Sequence, residues 1–296
     1  MSVELKVPGV GRVGLKSPIY HEKAGYGSGR FDISGNGVPT GHLSAIVFDK
    51  DGKPKKAAQT MSFWGRFWGN IRGGDQRIDL GSGLVTNVGV LAMANEYAWA
   101  NPSGTVNSVL GLANYHATGT GTNAAATTDL KLQTWDSIAA VAGTQSLVSS
   151  GTAPSYRTVA TIAYTGTEAV TEWGLHTGGT LSSTTGTPFT ATTAASATVT
   201  GTPYTASSST VAGQQMQVVL PGTTSVWGLV LSNTTSVLNI PAWYNVSNGA
   251  AGSTPGSTEA FTLRPVLWDR KQFAAINVLN GDSIAFTYSV QIVSGG

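Results

Sequence analysis

Two carboxylates four residues apart, Glu168 and Glu172, are the pair in this chain best spaced for acid–base chemistry. Both fall in a stretch with strand character, where an even spacing puts them on one face. Glycoside hydrolysis asks for such a pair, one general acid and one base or nucleophile. The competing reading is structural, with a glutamate at a buried strand edge paired to Arg264 or Arg270. Four histidines, His21, His42, His116 and His176, stand singly, which suits surface or turn positions better than a ligand set. His21-Glu22 opens like a zinc-protease helix, but Gly25 sits where the second histidine belongs. Asp49-Lys50-Asp51-Gly52 begins like a calcium loop, yet Lys53 takes the fifth position and no glutamate closes it. No serine has glycine two residues before and two after it, so there is no nucleophile elbow. The glycines of Gly25–Arg30 lack the strand, helix and lysine of a phosphate loop. With no cysteine, disulfide scaffolds, thiolate metal sites and cysteine nucleophiles are excluded. The residues therefore predict a protein with no catalytic centre, no metal and no cofactor.

The most pointed feature is aromatic. Thr60–Asn70 reads TMSFWGRFWGN, and on a helix Phe63 would sit over Phe67 and Trp64 over Trp68. With Arg66 beside them, Phe63, Trp64, Phe67 and Trp68 have the composition of a subunit-docking patch, since aromatics and arginine are enriched at interface hot spots. A local core of the N-terminal part and a stacking platform for sugars or bases are the other readings.

The charge that must surround such elements is scarce and uneven. Only 11% of the residues are charged, against roughly a quarter in an ordinary soluble domain. Residues 1–77 carry twelve Lys/Arg and six Asp/Glu, a net of +6, whereas 78–296 carry a net of −4. From Trp173 to Thr258 there is no charged residue, only Thr, Ser, Ala and Gly with Val, Leu and aromatics among them. A free monomer keeps a charged surface for solubility. A neutral, hydroxyl-rich surface points instead to cover by identical neighbours or to a face specialised for the exterior. The basic part lacks any zinc, RNP-like or helix-turn-helix pattern, so nucleic-acid binding is not expected. No apolar run approaches the ~20 residues that span a bilayer, and the N-terminus has no apolar core of a secretory signal.

The elements that must position these residues are mostly strands. Residues 1–44 are rich in Gly and Pro and read as an extended arm; Ser44–Phe48 is a strand, and Asp51-Gly52 a hairpin turn. From Thr86, TNVGVLAMANEYAWA is the best helix, with Thr86 as N-cap, Pro102 beyond its end, and Val88, Leu91, Ala92, Asn95, Ala98 and Trp99 on one stripe. Strand patterns follow at Val106–His116, Tyr156–Gly166, Ala169–Leu175, Gln215–Leu220, Val226–Leu231, Val237–Ile240, Thr262–Trp268 and Ser283–Val293. The last alternates Ile284, Phe286, Tyr288, Val290 and Ile292 after the turn Asn280-Gly281-Asp282. TGTPFTA at Thr185–Ala191 returns as TGTPYTA at Thr200–Ala206, too few copies for a solenoid but suited to two related ribbons.

Four blocks, in order, resemble a group of tailed-bacteriophage virion structural proteins. They are RIDLGSGLVTNVGVLAMANEYAW (Arg77–Trp99), NYHATGTGTNAAATTDLKLQT (Asn114–Thr134), YRTVATIAYTGTEAVTEWGL (Tyr156–Leu175) and LWDRKQFAAINVLNGDSIAFTYSVQIVSGG (Leu267–Gly296). The resemblance implies a β-sandwich virion component without enzymatic activity, in the head-decoration or tail-fibre-like range. The chain departs from that pattern by the long charge-free segment between Leu175 and Leu267.

The expected architecture is mainly β: an antiparallel, jelly-roll-like sandwich with one amphipathic helix. The core spans 78–176 and 262–296 with the helix at 86–100, a Thr/Ser/Ala-rich β subdomain is inserted at 177–261, and a basic extended arm covers 1–77. The expected function is a capsid decoration (cement) protein, made in the bacterial host cytoplasm and placed on the exterior of the virion. Its partners would be the major capsid protein or other virion proteins and its own copies, as a dimer or trimer, with no membrane and no nucleic acid. The alternative is a tail-fibre or receptor-binding protein whose Trp227, Trp243 or Tyr244 contact host glycans. A glycan-active enzyme using Glu168 and Glu172 is the third reading.

Overall fold

The alternation read at Ser283–Ile292 builds the centre of the protein. In the computed structural model Ile284, Phe286 and Tyr288 are completely buried, while Ala285, Thr287 and Ser289 between them are only partly covered. The structure describes residues 29–31, 41–55, 77–98, 113–148, 155–179, 181, 184–185, 189–193, 196–199, 216–220, 225–256 and 259–292.

The chain is mainly β with antiparallel sheets and, among the described residues, one helix. Sheet I runs β3 (Arg77–Ser82), β2 (His42–Phe48), β20 (Ser283–Ile292), β8 (Ser155–Ala163), β7 (Thr144–Val148), and the short β1 (Gly29–Phe31) joins the end of β20 in parallel. Sheet II runs β4 (Leu84–Val85), β19 (Leu267–Val278), β9 (Glu168–His176), β5 (Tyr115–Gly119), β6 (Val141–Ala142). One core joins the two sheets: Leu43, Ile162, Phe286 and Tyr288 from sheet I meet Val170, Trp173, Leu175 and Ile276 from sheet II. Trp173 lies against both Tyr288 and Phe286, with ring centroids 5.3 and 6.5 Å away. Burying each such aromatic or aliphatic side chain contributes roughly 1.5–3 kcal/mol, so this inter-sheet layer is what closes the sandwich.

Residues 177–266 leave from the connection between β9 and β19, whose ends His176 and Leu267 are paired. Sheet III runs β10 (Thr184–Thr185), β18 (Thr262–Pro265), β13 (Met216–Leu220), β14 (Val226–Val230), β17 (Tyr244–Asn245); sheet IV runs β11 (Phe189–Thr193), β12 (Ser196–Val199), β16 (Val237–Asn239), β15 (Ser232–Asn233). A second core of Val226, Val230, Leu238, Ile240, Trp243, Phe261 and Leu263 lies between them. Trp227 and Leu229, from the other face of β14, belong to the main core. β14 is thus buried on both faces, which is why VWGLV is a continuous apolar run without polar alternation.

The helix α1 (Asn87–Ala98) packs on β19 and β14. Thr86 caps it as expected: its Oγ1 accepts the Gly89 N–H at 3.1 Å and donates to the Leu267 carbonyl. Val88 and Ala92 are completely buried. The last two residues expected in this helix, 99 and 100, lie outside the described residues.

Two boundaries differ from the expectation. Thr262–Pro265 is not part of the core sandwich but pairs with β10 and β13 in sheet III. Part of the expected arm is core: β2 hydrogen-bonds on both sides, to β3 and β20, and Leu43, Ala45 and Val47 are at most 1% exposed. Strand register overrides the glycine- and charge-rich surroundings here, because the apolar alternation of HLSAIVF fits the pleat beside β20.

Candidate functional site

The segment between β5 and β6 carries the GTGTNAAATTDLKLQT string and folds back on itself, with the Thr120 N–H donating to the Thr134 carbonyl at 2.8 Å. Glu172, from β9 beneath it, is completely buried. Its Oε1 accepts the backbone N–H groups of Gly121 and Thr134 at 3.1 and 2.7 Å, and its Oε2 that of Gln133 at 3.0 Å. Arg270 comes from β19, diagonally across the strand pair, since Glu172 faces Gln272 and Arg270 faces Gly174. Its Nε and Nη2 reach Glu172 Oε2 at 2.9 and 2.8 Å, and its Nη1 reaches Asp129 Oδ2 at 2.7 Å. Asp129 also accepts the Ala126 N–H, and the Asn123 carbonyl accepts from Arg270 Nη2 at 3.2 Å. Gly121 permits this closeness, because a Cβ there would lie 2.5 Å from Glu172 Oε1.

This arrangement decides between the two readings of Glu172. Its oxygens are filled by three backbone donors and one guanidinium, so it acts as a staple that holds the loop on sheet II. Of the two arginines the sequence offered as partners, Arg270 is the one used; Arg264 stands in β18 opposite Gln217. Glu168 opens β9 and is only partly covered. Burial, and then the nearby Asp136 charge, raise its pKa. Asp136 is raised by burial too, while Thr118 Oγ1 donates to it and receives the Tyr164 hydroxyl at 3.1 Å.

A second polar group lies between the sheets. His116 is fully buried, accepts the Trp173 indole N–H on Nδ1 at 3.2 Å, and has Nε2 3.1 Å from Thr158 Oγ1. Hydroxyl, imidazole and a third orienting group in line are the parts of a nucleophile relay. Here the chemistry runs the other way. Indole N–H only donates, so Nδ1 must be bare and Nε2 must carry the proton. That nitrogen donates to Thr158 and can take nothing from it. Burial, with a further contribution from His176, lowers the His116 pKa to about 3, and burial lowers that of His176 to about 4. Both are neutral fixtures of the core. His42, on β2, pairs instead with Asp79 Oδ1 at 3.0 Å. His21 lies outside the described residues.

Asp269, also fully buried, accepts the Tyr288 hydroxyl at 2.9 Å. Burial pushes its pKa up to about 7 against the opposing hydrogen bonds of Tyr288, Leu84 and Gly41 and the charge of Lys271. Neither Asp269 nor Asp129 stands out in the sequence, because each finds its partner only in the folded chain: Asp269 meets Tyr288 of the opposite sheet, and Asp129 meets Arg270 from the loop between β5 and β6. Among the described residues no group of three or more His, Asp or Glu side chains gathers as a metal site.

The aromatic docking patch expected at Phe63, Trp64, Arg66, Phe67 and Trp68 lies outside the described residues. The aromatics of the glycan reading are mainly core residues. Trp227 and Trp243 are 2% and 4% exposed, and Trp227 stacks on the half-buried Tyr244 with centroids 4.8 Å apart. The chain matches no family model, no curated protein and no solved structure.

Proposed function

We propose that this protein is a structural component of a tailed-phage virion, a capsid decoration protein on the particle exterior that stabilises the lattice by covering and bridging its subunits. The observation that carries the reading is the charge-free segment Trp173–Thr258, which builds most of two sheets around an apolar core of their own. A neutral Thr/Ser surface of this extent suits packing against neighbours better than life as a free monomer. The polar groups of the core support it: buried Glu172, Arg270 and His116, with the partly covered Asp129, hold strands and a loop in place. The basic stretches on either side of β2 would supply the contacts to an acidic capsid surface, and the ordered resemblance of four blocks to phage virion proteins points the same way. The partners are the major capsid protein or other virion proteins and further copies of this chain.

Stoichiometry on purified particles tests the proposal. Quantitative mass spectrometry should find the chain in numbers comparable to the major capsid protein. A number far below it sinks the decoration reading in favour of a tail appendage, and absence from particles sinks the virion reading altogether.

A further inference from the structure

The two outer sheet edges of the sandwich that could extend it are unlike each other. β3 carries Arg77 and Asp79, and its pairing with β2 is broken by a register shift, devices that discourage a further strand. β7, TQSLV, has no charge and no proline, and pairs with β8 without a shift from Thr144 to Val148. The remaining edge strands of the described sheets are two or three residues long, except β11, which carries its own register shift. β7 is therefore the one long, flat, uncharged edge among the described residues.

Leu147, one of the two apolar residues of β7, faces the wrong environment for a free edge. Cross-strand partners share a face. Tyr288 faces Thr158 and Val290 faces Tyr156 across β20 and β8, and Thr158 faces Gln145 and Tyr156 faces Leu147 across β8 and β7. Leu147 thus stands on the core face of sheet I, yet it is 75% exposed. The opposing sheet ends at β6, which is only two residues long and pairs with Tyr115 and His116. Val290 and Tyr156, both packed against the core, lead outward to a leucine that nothing described covers.

We propose that β7 is the dimer edge of this protein and that its occupant is β7 of a second copy, paired antiparallel about a two-fold axis. Full overlap of the five residues puts Ser146 opposite Ser146 of the second copy and Leu147 opposite its Gln145. The two Leu147 side chains then meet diagonally on the same face, within ~8 Å, and the two copies of sheet I become one continuous sheet. A strand with no charge is self-complementary in this arrangement, because no like charges are brought together. The nearest charged residue on the neighbouring strand, Arg157, is three strand spacings from its counterpart, ~14 Å, beyond effective screening range. The dimer is a property of the chain alone and stands apart from the virion reading.

The chain has no cysteine, which makes the test clean. In the full-length protein Ser146→Cys should form a disulfide-linked dimer in near-quantitative yield under mild oxidation, since directly opposed residues lie within bridging distance. Thr161→Cys, exposed on β8, should not. Leu147→Lys, at a position exposed enough to leave the fold intact, should raise the dimer dissociation constant in sedimentation equilibrium by about tenfold or more. A wild-type monomer at every concentration overturns the proposal, and protected β7 amides in that monomer would assign the edge to a segment of the same chain. A dimer that Leu147→Lys leaves unchanged, or that both cysteine variants link equally, overturns it as well.

Discussion

The indole N–H of Trp173 donates to Nδ1 of His116 at 3.2 Å, and the two rings meet edge to face with centroids 5.4 Å apart. One donor-only group therefore sets the tautomer of a fully buried histidine. Burial, and after it the charge of His176, lower the His116 pKa to about 3, and protonating Nδ1 would in addition aim two N–H groups at each other.

Acid stability follows from that geometry. A group whose folded pKa lies below its unfolded value contributes stability that is present above the unfolded value and is lost as pH falls beneath it. For His116 and His176 the window opens at 6.5 and runs down toward about 3 and about 4. Each should cost about 1.4 kcal/mol per pH unit within it. His116→Asn keeps an acceptor for the indole but cannot titrate. Urea unfolding between pH 7 and 4.5 should give a slope shallower by about one proton in this variant. An unchanged slope would show that His116 does not hold its neutral form.

Asp269 works in the opposite sense. Its folded pKa, about 7, lies above the ordinary 3.8, so its contribution is present below 3.8 and is lost as pH rises through 7. Asp269→Asn keeps an acceptor for the Tyr288 hydroxyl and removes the titration. Relative to wild type, the variant should gain about 1.4 kcal/mol for each pH unit between 4 and 7. The same denaturation series checks this, and a pH-independent difference would contradict it.

Arg270 should prove the least replaceable residue of the loop staple. Arg270→Met leaves the carboxylate of Glu172 buried without a counter-charge, which costs about 3–5 kcal/mol. Removing both charges, in Glu172→Gln with Arg270→Met, should cost less than the sum of the single changes. Amides of Gly121, Gln133 and Thr134, which donate to Glu172, should lose exchange protection first in Arg270→Met. Retained protection with a loss under about 1 kcal/mol would mean that the loop is held by something else.

The strands marked by clean alternation or by a short apolar run are the part of the fold legible in the sequence. β20, β9 and β14 lie within one residue of their expected ends, and β8 begins one residue before its expected start and ends three short. β19 is legible only at its start. Its pairing with β9 shifts register twice, so LWDRKQFAAINV carries Asp269 and Arg270 inward next to each other and breaks the period-two pattern. Glu172 shows the same limit from the site's side. Its type and spacing admit two roles, and only the diagonal approach of Arg270, ninety-eight residues later, selects one. The embedding of β2 in the sandwich is likewise hidden, since its partners β20 and β3 are fixed by long-range pairing rather than by its neighbours in sequence.

That embedding determines where the basic N-terminal part can be cut. Removing residues 1–77 takes away all of β2, and with it Leu43 and Val47, each fully or almost fully buried against the main core. It also removes Lys55, whose ammonium pairs with the nearly buried Asp282 at the turn before β20. Two such side chains alone are worth roughly 3–6 kcal/mol, a large share of the ~5–15 kcal/mol that holds a domain folded. β20 would also lose a hydrogen-bonding neighbour along its length. The 1–77 deletion should therefore give no cooperative thermal transition by circular dichroism, whereas deletion of 1–28 should keep one. Only the shorter deletion can then probe particle binding. If the basic N-terminus contacts the capsid, the 1–28 deletion should fold yet fail to co-sediment with particles, and undiminished co-sedimentation would move the contact elsewhere on the chain.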